Sequence, residues 1–265
     1  MREMMKKFLS YAIPSALAMF ISSLYTVIDG IFVGQGVGDL ALAAVNVVIP
    51  LTIMLFGMAT MFAVGGGALI SKNFGSGNIQ NANVMFRQVF KFLLILSLFI
   101  SIICFLFTGP IVKGLGATPD LYESAKIYLR FYSIFCIPNI IGIALNSFIR
   151  NDGNPKLAMI ATISGAITNI VLDYLFIFPL QLGLFGAALA TGLGQLVTVS
   201  ILLIHFIRRQ GQLRFGNVKL DFKIIKEFSN IGFPSFFAEA AFSVIIYLTN
   251  LALITTVGEA GITTY

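Results

Sequence analysis

The 265-residue sequence has few of the residues on which most soluble proteins and many enzymes depend. It contains no tryptophan, one histidine and two cysteines, and only 11% of its residues are charged. Soluble domains carry about 25% charged residues, so a chain that is 58% hydrophobic cannot cover its surface with polar groups. Cys104 and Cys136 are too few for a disulfide framework, and a single histidine excludes the paired-histidine metalloprotease motif. These absences exclude a soluble domain and indicate a polytopic membrane protein.

Seven apolar stretches are long enough to cross a bilayer, which takes about 20 residues. We predict spans at residues 11–33, 45–70, 90–112, 121–149, 157–178, 184–207 and 231–257. Short connections rich in Gly, Asn, Asp and Pro separate them, as is typical of turns. The sequence therefore predicts an all-α polytopic membrane protein in which consecutive helices are antiparallel neighbours.

Basic residues are distributed unevenly between the two sides. With the N-terminus placed inside, 14 of the 17 Lys and Arg residues fall on the cytoplasmic side and 3 fall outside. Cytoplasmic loops are enriched in Lys and Arg, so we predict a multi-pass protein of the plasma (inner) membrane of a prokaryote with a cytoplasmic N-terminus. This distribution explains the net charge of +6 without nucleic acid. Residues 208–226 include LDFKIIKEF, an amphipathic pattern that predicts a segment along the inner membrane interface.

The seventh span repeats the first at a distance of 220 residues, so that Pro14 aligns with Pro234 and Ser23 with Ser243. Six spans separate the two copies, so both run in the same direction, as in transporters built from parallel repeats. We therefore expect the chain to be truncated from a twelve-helix protein. The predicted domains are an N-terminal six-helix bundle at 1–207, a cytoplasmic inter-bundle linker at 208–226 and the start of a second bundle at 227–265.

Three acidic residues lie inside predicted spans, where a charged side chain is unfavourable by roughly 2.5–3.5 kcal/mol on insertion scales. At the α-helical rise, Asp29 lies about 27 Å along the first span and Asp173 about 24 Å along the fifth. Both therefore reach the same depth, in the outer third of the membrane. Glu239 lies about 12 Å into the seventh span, closer to the cytoplasm. Glu239 could therefore belong to a second site in the other half of the protein or lie at the membrane interface, and the sequence leaves both alternatives open.

Polar residues accompany the two aspartates. Tyr25 and Asn169 each precede an aspartate by four residues and share its helix face, and Thr191 and Tyr128 reach a similar depth on the sixth and fourth spans. Carboxyl groups close together in a low-dielectric environment favour binding a proton or a cation. We predict a cation or proton site here, with separate structural roles for the two aspartates as the alternative.

Several stretches together resemble the multidrug and toxic compound extrusion (MATE) family. They are IPSALAMFISSLYTVIDGIFVGQGVG, GGGALISKNFGSGN, IRNDGNPKLAMIATISGAITNIVLDYLFIF, LGLFGAALAT and GFPSFFAEAAF. The resemblance implies twelve helices in two six-helix bundles around a central cavity. It also implies export of bulky, often cationic compounds against an inward flow of H⁺ or Na⁺.

The resemblance further assigns roles to individual residues. The first-bundle cation site that it implies comprises Asp29, Asn169, Asp173, Thr191 and Tyr128. The first four of these are the expected Na⁺ ligands if Na⁺ is the coupling ion. It also implies a second-bundle acid at Glu239 and a cavity-lining side chain at Asn146.

We expect a monomeric antiporter with no cofactor and no enzymatic activity, whose partners are small cationic substrates and the lipid bilayer. Neutralising the pair would change the packing of the first helix and bend it near Pro14 or Gly30. Two alternatives are kept. A lipid-linked oligosaccharide flippase of the same superfamily predicts basic residues lining the cavity. An intramembrane aspartyl protease would use Asp29 and Asp173, but neither lies in the G-x-G-D context expected there.

Overall fold

The computed structural model describes residues 2–256 and residue 258. Over these residues the fold consists of helices and connecting segments, without a strand. The helices are α1 (Arg2–Gly36), α2 (Asp39–Gly75), α3 (Ile79–Leu106), α4 (Thr108–Gly114), α5 (Pro119–Ile134), α6 (Cys136–Asn151), α7 (Pro155–Ile177), α8 (Gly183–Ile207) and α9 (Phe222–Thr256). The predicted all-α class is confirmed. The last residue of the predicted seventh span, Val257, lies outside the described residues.

Seven membrane spans can be counted in the part of the chain that the structure describes. Six single helices are long and apolar enough to cross a membrane, and α5 and α6 together form a seventh span that is bent by 53°. The bend falls at Phe135, just before Pro138 in the first turn of α6. Proline has no backbone N–H to donate to the preceding turn, so the helix can bend here. The helices therefore match the seven predicted spans if this bent pair counts as one span.

The third predicted span, 90–112, is interrupted, which corrects its expected continuity. Helix α3 ends at Leu106 and α4 begins at Thr108. The Thr108 hydroxyl donates hydrogen bonds to the carbonyls of Cys104 and Phe105, at 2.7 and 2.8 Å, and Pro110 follows two residues later. A side-chain donor that competes for helix carbonyls and a residue without an N–H both weaken the continuous α-helical ladder.

The predicted linker at 208–226 does not form an amphipathic interfacial segment along its whole length. Helix α9 begins at Phe222, so the last seven residues of LDFKIIKEF are the first part of the seventh span. The preceding residues are irregular and are held by polar side chains of α3. Arg87 Nε donates to the Arg214 carbonyl at 3.0 Å, and Gln88 Nε2 donates to the Lys219 carbonyl at 2.8 Å. These bonds satisfy backbone groups that would otherwise lack a partner.

The repeat predicted from the sequence is visible in the helices. Both α1 and α9 have 35 residues and carry one internal proline, Pro14 and Pro234, each at the thirteenth position. Helix α9 lies antiparallel to α2, since Ser243 contacts Pro50 and Asn250 contacts Asn46. It therefore runs in the same direction as α1, as a parallel repeat requires.

Glycines bring α2 and α9 into backbone contact. A Cβ atom placed on Gly65 would overlap the Phe228 carbonyl oxygen, and one on Gly232 would overlap the Met61 carbonyl oxygen. Small residues permit close approach at helix contacts in membranes. The run of glycines at 65–67 predicts such packing, and this prediction is confirmed.

Two apolar clusters occupy opposite ends of the bundle. One lies where α2, α3, α6 and the irregular segment after α8 meet, and it includes the fully buried Phe86 and Phe148. The other joins the end of α1 to α2, α5 and α7, around residues such as Val47 and Leu129. Between them, α1, α6, α7 and α8 enclose polar side chains. The candidate site lies there.

Candidate functional site

The site is built around two carboxyl groups from different helices. Asp29 is in the last third of α1, and Asp173 is near the end of α7. The two carboxyl groups are close enough for the charge of one to act on the other. Asp173 is fully buried and Asp29 is partly buried. The structure thus brings together the two aspartates that the sequence places at one depth.

Close packing of α7 against α8 holds one wall of the site. A Cβ atom on Gly194 of α8 would lie 2.8 Å from the Gly165 carbonyl oxygen and 3.1 Å from Cβ of Asn169. This approach allows Asn169 Nδ2 to donate to Thr191 Oγ1 across the two helices, at 3.4 Å. Small residues therefore place the amide and the hydroxyl beside Asp173.

Two tyrosines complete the surroundings of the pair. Tyr128 on α5 and Tyr25 on α1 are close enough to both carboxyl groups for the charge of either aspartate to act on their hydroxyls. Tyr128 also stacks on Tyr132, with 6.4 Å between ring centroids. The six residues that the sequence groups by depth are therefore neighbours in space, contributed by α1, α5, α7 and α8.

The distinctive property of the site is a surplus of acceptors. Asp29 Oδ1, Asn169 Oδ1 and both carboxyl oxygens of Asp173 are buried, and no protein donor in the described part of the chain reaches them. Buried polar atoms are nearly always hydrogen-bonded, and burying an unpaired carboxylate is costly. Four such oxygens in one cluster can be satisfied by protons on the carboxyl groups or by a cation. Oxygen-only ligands suit a hard cation.

A cavity of about 450 Å³, lined by both polar and apolar side chains, adjoins this cluster. Its walls are formed by α1, α6, α7 and α8, with Phe56 from α2. Tyr25, Asn169 and Thr191 line the end beside the aspartates, and Arg150 lines the opposite end. The cavity therefore has carboxyl groups near one end and a guanidinium group at the other.

The remaining two predicted site residues lie apart from the aspartates. Asn146 lines the cavity, as the resemblance implied, and its amide donates to the Ala158 carbonyl at 3.1 Å and to Thr162 Oγ1 at 2.9 Å, linking α6 to α7. Glu239 is on α9 and packs over Gly57 of α2. It does not line the cavity, so the structure does not bring it to the aspartate pair.

Sequence reasoning misses two polar features. From the sequence alone, Arg150 enters only the count of cytoplasmic basic residues. Its spacing of four residues from Asn146 and eleven from Asn139 nevertheless indicates that the three side chains share one helix face. His205, near the end of α8, is fully buried and its Nε2 lies 2.8 Å from Asp152 Oδ2. Asp152 also accepts hydrogen bonds from the backbone N–H groups of residues 212 and 213. No local pattern links residues so far apart in sequence.

Comparison with known proteins gives a consistent result. A family model described as MatE matches residues 14–175, more than half of the chain. The multidrug export protein MepA of Staphylococcus haemolyticus is 27% identical over 262 residues, which are 98% of this chain and 58% of that relative. The chain thus spans just over half the length of the curated relatives it matches.

Solved structures agree in fold. The MATE multidrug transporter DinF-BH superposes with a TM-score of 0.90 at 30% identity, over 96% of this chain and 58% of that one. A multidrug resistance MATE family transporter of the MOP superfamily in an outward-facing conformation gives a TM-score of 0.83 at 27% identity, over 95% and 56% of the two chains.

Proposed function

Because this chain belongs to the MatE family of membrane transporters, we propose that it supplies the first bundle of a secondary antiporter. This antiporter exports bulky organic cations in exchange for H⁺ or Na⁺. The observation that carries the proposal is the cluster of four buried, unpartnered oxygens on Asp29, Asn169 and Asp173. A cluster of acceptors without donors is suited to bind a coupling cation reversibly.

The proposed cycle begins with the cation entering from outside. A proton would sit between the two carboxyl groups, whereas Na⁺ would be held by Asp29, Asn169, Asp173 and the Thr191 hydroxyl. Either ion removes the repulsion between α1 and α7 that two ionised carboxylates create. Helix α1 can respond at Pro14, where the helix lacks one backbone hydrogen bond.

Substrate export follows if the two states of the pair have different affinities for the drug. A ligand shifts a conformational equilibrium only by its differential affinity for the two states. The ionised pair attracts an organic cation electrostatically, and the neutralised pair does not. Cation binding from outside therefore favours substrate release, and the bundles then move to face inward.

A cationic substrate is favoured over the pyrophosphate-bearing substrate of a flippase. The flippase alternative requires several basic residues along the cavity, and among the described residues Arg150 is the one that lines it. The similar MepA proteins are multidrug exporters, and the solved relatives include a MATE multidrug transporter. The protease alternative has no support from these similarities.

The test uses the full-length protein in proteoliposomes loaded with ethidium, a fluorescent organic cation. An inward gradient of H⁺ or of Na⁺ is imposed separately, and efflux is followed by fluorescence. We expect one gradient to drive efflux, and we expect Asp29→Asn to abolish it without reducing the amount of folded protein. The matched control is Asp39→Asn, since Asp39 is an exposed carboxyl at the start of α2.

Ethidium efflux by Asp29→Asn at the wild-type rate would refute the proposed role of the pair. If the wild-type protein shows no ethidium efflux with either gradient, ion-coupled export of organic cations is refuted. A cytoplasmic N-terminus, which the charge distribution predicts, is checked by the accessibility of an N-terminal tag in intact and opened cells.

A further inference from the structure

Arg150 lies at the end of the cavity remote from the aspartates. It is in the last turn of α6, where the negative end of the helix dipole stabilises a cation. Its Nη1 donates a hydrogen bond of 3.0 Å to Ser15 Oγ on α1. The guanidinium therefore joins α6 to α1 across this end of the cavity.

The cavity is long enough to connect the aspartate pair to Arg150 and large enough to hold water. Along α6 its lining extends from Asn139 to Arg150, which is about 16 Å at the helical rise. A volume of about 450 Å³ over that length has a mean width of about 6 Å. It can hold on the order of 15 water molecules at their volume in the liquid.

Polar side chains are spread along the mostly apolar walls between the two ends. Four helices, α1, α6, α7 and α8, contribute hydroxyl or amide groups, including Ser22, Asn139, Asn146, Thr162, Gln195 and Thr198. Polar groups of this kind hydrate a passing ion. The cavity therefore connects the aspartate pair to Arg150 through a region that water can fill.

We infer that this cavity is the inward release path of the coupling cation and that Arg150 is its gate. The positive guanidinium, held by Ser15, closes the inner end to cations while the pair is reached from outside. A fixed arginine in a narrow pore is an effective electrostatic barrier to protons and other cations. Release inward then requires the Arg150–Ser15 hydrogen bond to break.

The position of Ser15 couples this gate to α1. Ser15 follows Pro14 directly, so a bend of α1 at the proline displaces the hydroxyl that Arg150 binds. The same helix carries Asp29 at its other end. A change in α1 caused by cation binding at the pair can therefore open the inner end of the path. This inference rests on the proposed antiport.

The experiment measures ion leak in the absence of drug. Full-length protein is reconstituted in liposomes containing a pH-sensitive dye, the membrane potential is clamped, and proton influx is recorded after a pH step. A parallel series records the uptake of radioactive Na⁺. For Arg150→Gln we expect the leak of the coupling ion to rise on the order of tenfold, equivalent to about 1.4 kcal/mol off the barrier.

Three further variants define the mechanism. Arg150→Lys keeps the positive charge and should leak within about twofold of wild type. Ser15→Ala should show a smaller increase than Arg150→Gln, since the guanidinium remains but is less fixed. The double variant Asp29→Asn with Arg150→Gln should return to the wild-type leak, because the path passes through the aspartate pair. Arg208→Gln, an exposed arginine just after α8, is the matched control.

A wild-type leak in Arg150→Gln would overturn the inference, as would a leak in Arg150→Lys as large as in Arg150→Gln. A leak that persists in the double variant would show that the path bypasses the pair and would also overturn it. Monodisperse elution in detergent verifies that each variant is folded. If the wild-type protein does not transport ethidium, the proposed antiport is refuted. The comparison of ion leak between variants can still be interpreted, because it uses no drug.

Discussion

Substitution of Gly194 by alanine should damage the candidate site without touching any of its charged groups. Gly194 lies where α8 meets α7, and an added Cβ would be 2.8 Å from the Gly165 carbonyl oxygen and 3.1 Å from Cβ of Asn169. The first of these neighbours is backbone and cannot rotate away. The two helices must therefore move apart to accept a single methyl group.

The required movement follows from the contact distances. Restoring an ordinary contact of 3.4 Å from 2.8 Å takes about 0.6 Å of separation. The hydrogen bond between Asn169 and Thr191 already measures 3.4 Å and would be lost with such a shift. Binding constellations tolerate displacements of about 0.5 Å. Overpacking of this kind costs about 1–3 kcal/mol in stability.

Both effects can be measured on the full-length protein. In detergent the apparent Tm of Gly194→Ala should fall by about 2–4 °C for each kcal/mol lost, and cation-driven ethidium efflux should fall on the order of tenfold. Gly75→Ala is the matched control, because no heavy atom lies within 4 Å of a Cβ added there. Wild-type efflux by Gly194→Ala would show that the approach of α7 and α8 does not set the geometry of the site.

Two further predictions concern positions outside the site. Asp152→Ala removes the acceptor of His205 and of two backbone N–H groups, so we expect a loss of about 1–3 kcal/mol from buried polar groups left without a partner, and faster tryptic cleavage of the irregular segment after α8. Unchanged proteolysis would contradict that role. In contrast, Glu123→Gln removes an exposed pair with Lys126, at 3.3 Å, and should change stability by less than about 0.5 kcal/mol, which thermal unfolding can verify.

The sequence is most informative where one physical quantity dominates. Hydrophobic length alone predicts the seven spans. The constant rise of the α-helix places Asp29 and Asp173 at one depth, and the structure brings them together. The repeat is predicted because Pro14 and Pro234 mark equivalent positions in two helices of equal length.

Other features depend on rotation and on contacts between distant segments, which depth does not specify. Glu239 faces α2 at Gly57 and not the cavity, and this orientation is set by helix packing. The pairing of His205 with Asp152 joins two residues 53 positions apart in the chain. The break at Phe107 had a visible signal in Pro110, because proline has no N–H to donate to the carbonyl of Leu106 one turn earlier.

The contact between α2 and α9 has a mechanical consequence. At the end marked by Gly65 and Gly232, backbone meets backbone, and Phe228 of α9 packs edge-on against Phe62 of α2 at 5.8 Å between ring centroids. Toward the other end, Ser243 and Asn250 donate hydrogen bonds to α2 carbonyls at 2.6 and 2.8 Å. A contact between glycines offers little steric resistance to rotation of one helix relative to the other, whereas hydrogen bonds resist separation of the helices. We therefore expect α9 to rotate about the glycine contact when it tilts away from α2. Such a tilt requires the hydrogen bonds of Ser243 and Asn250 to break.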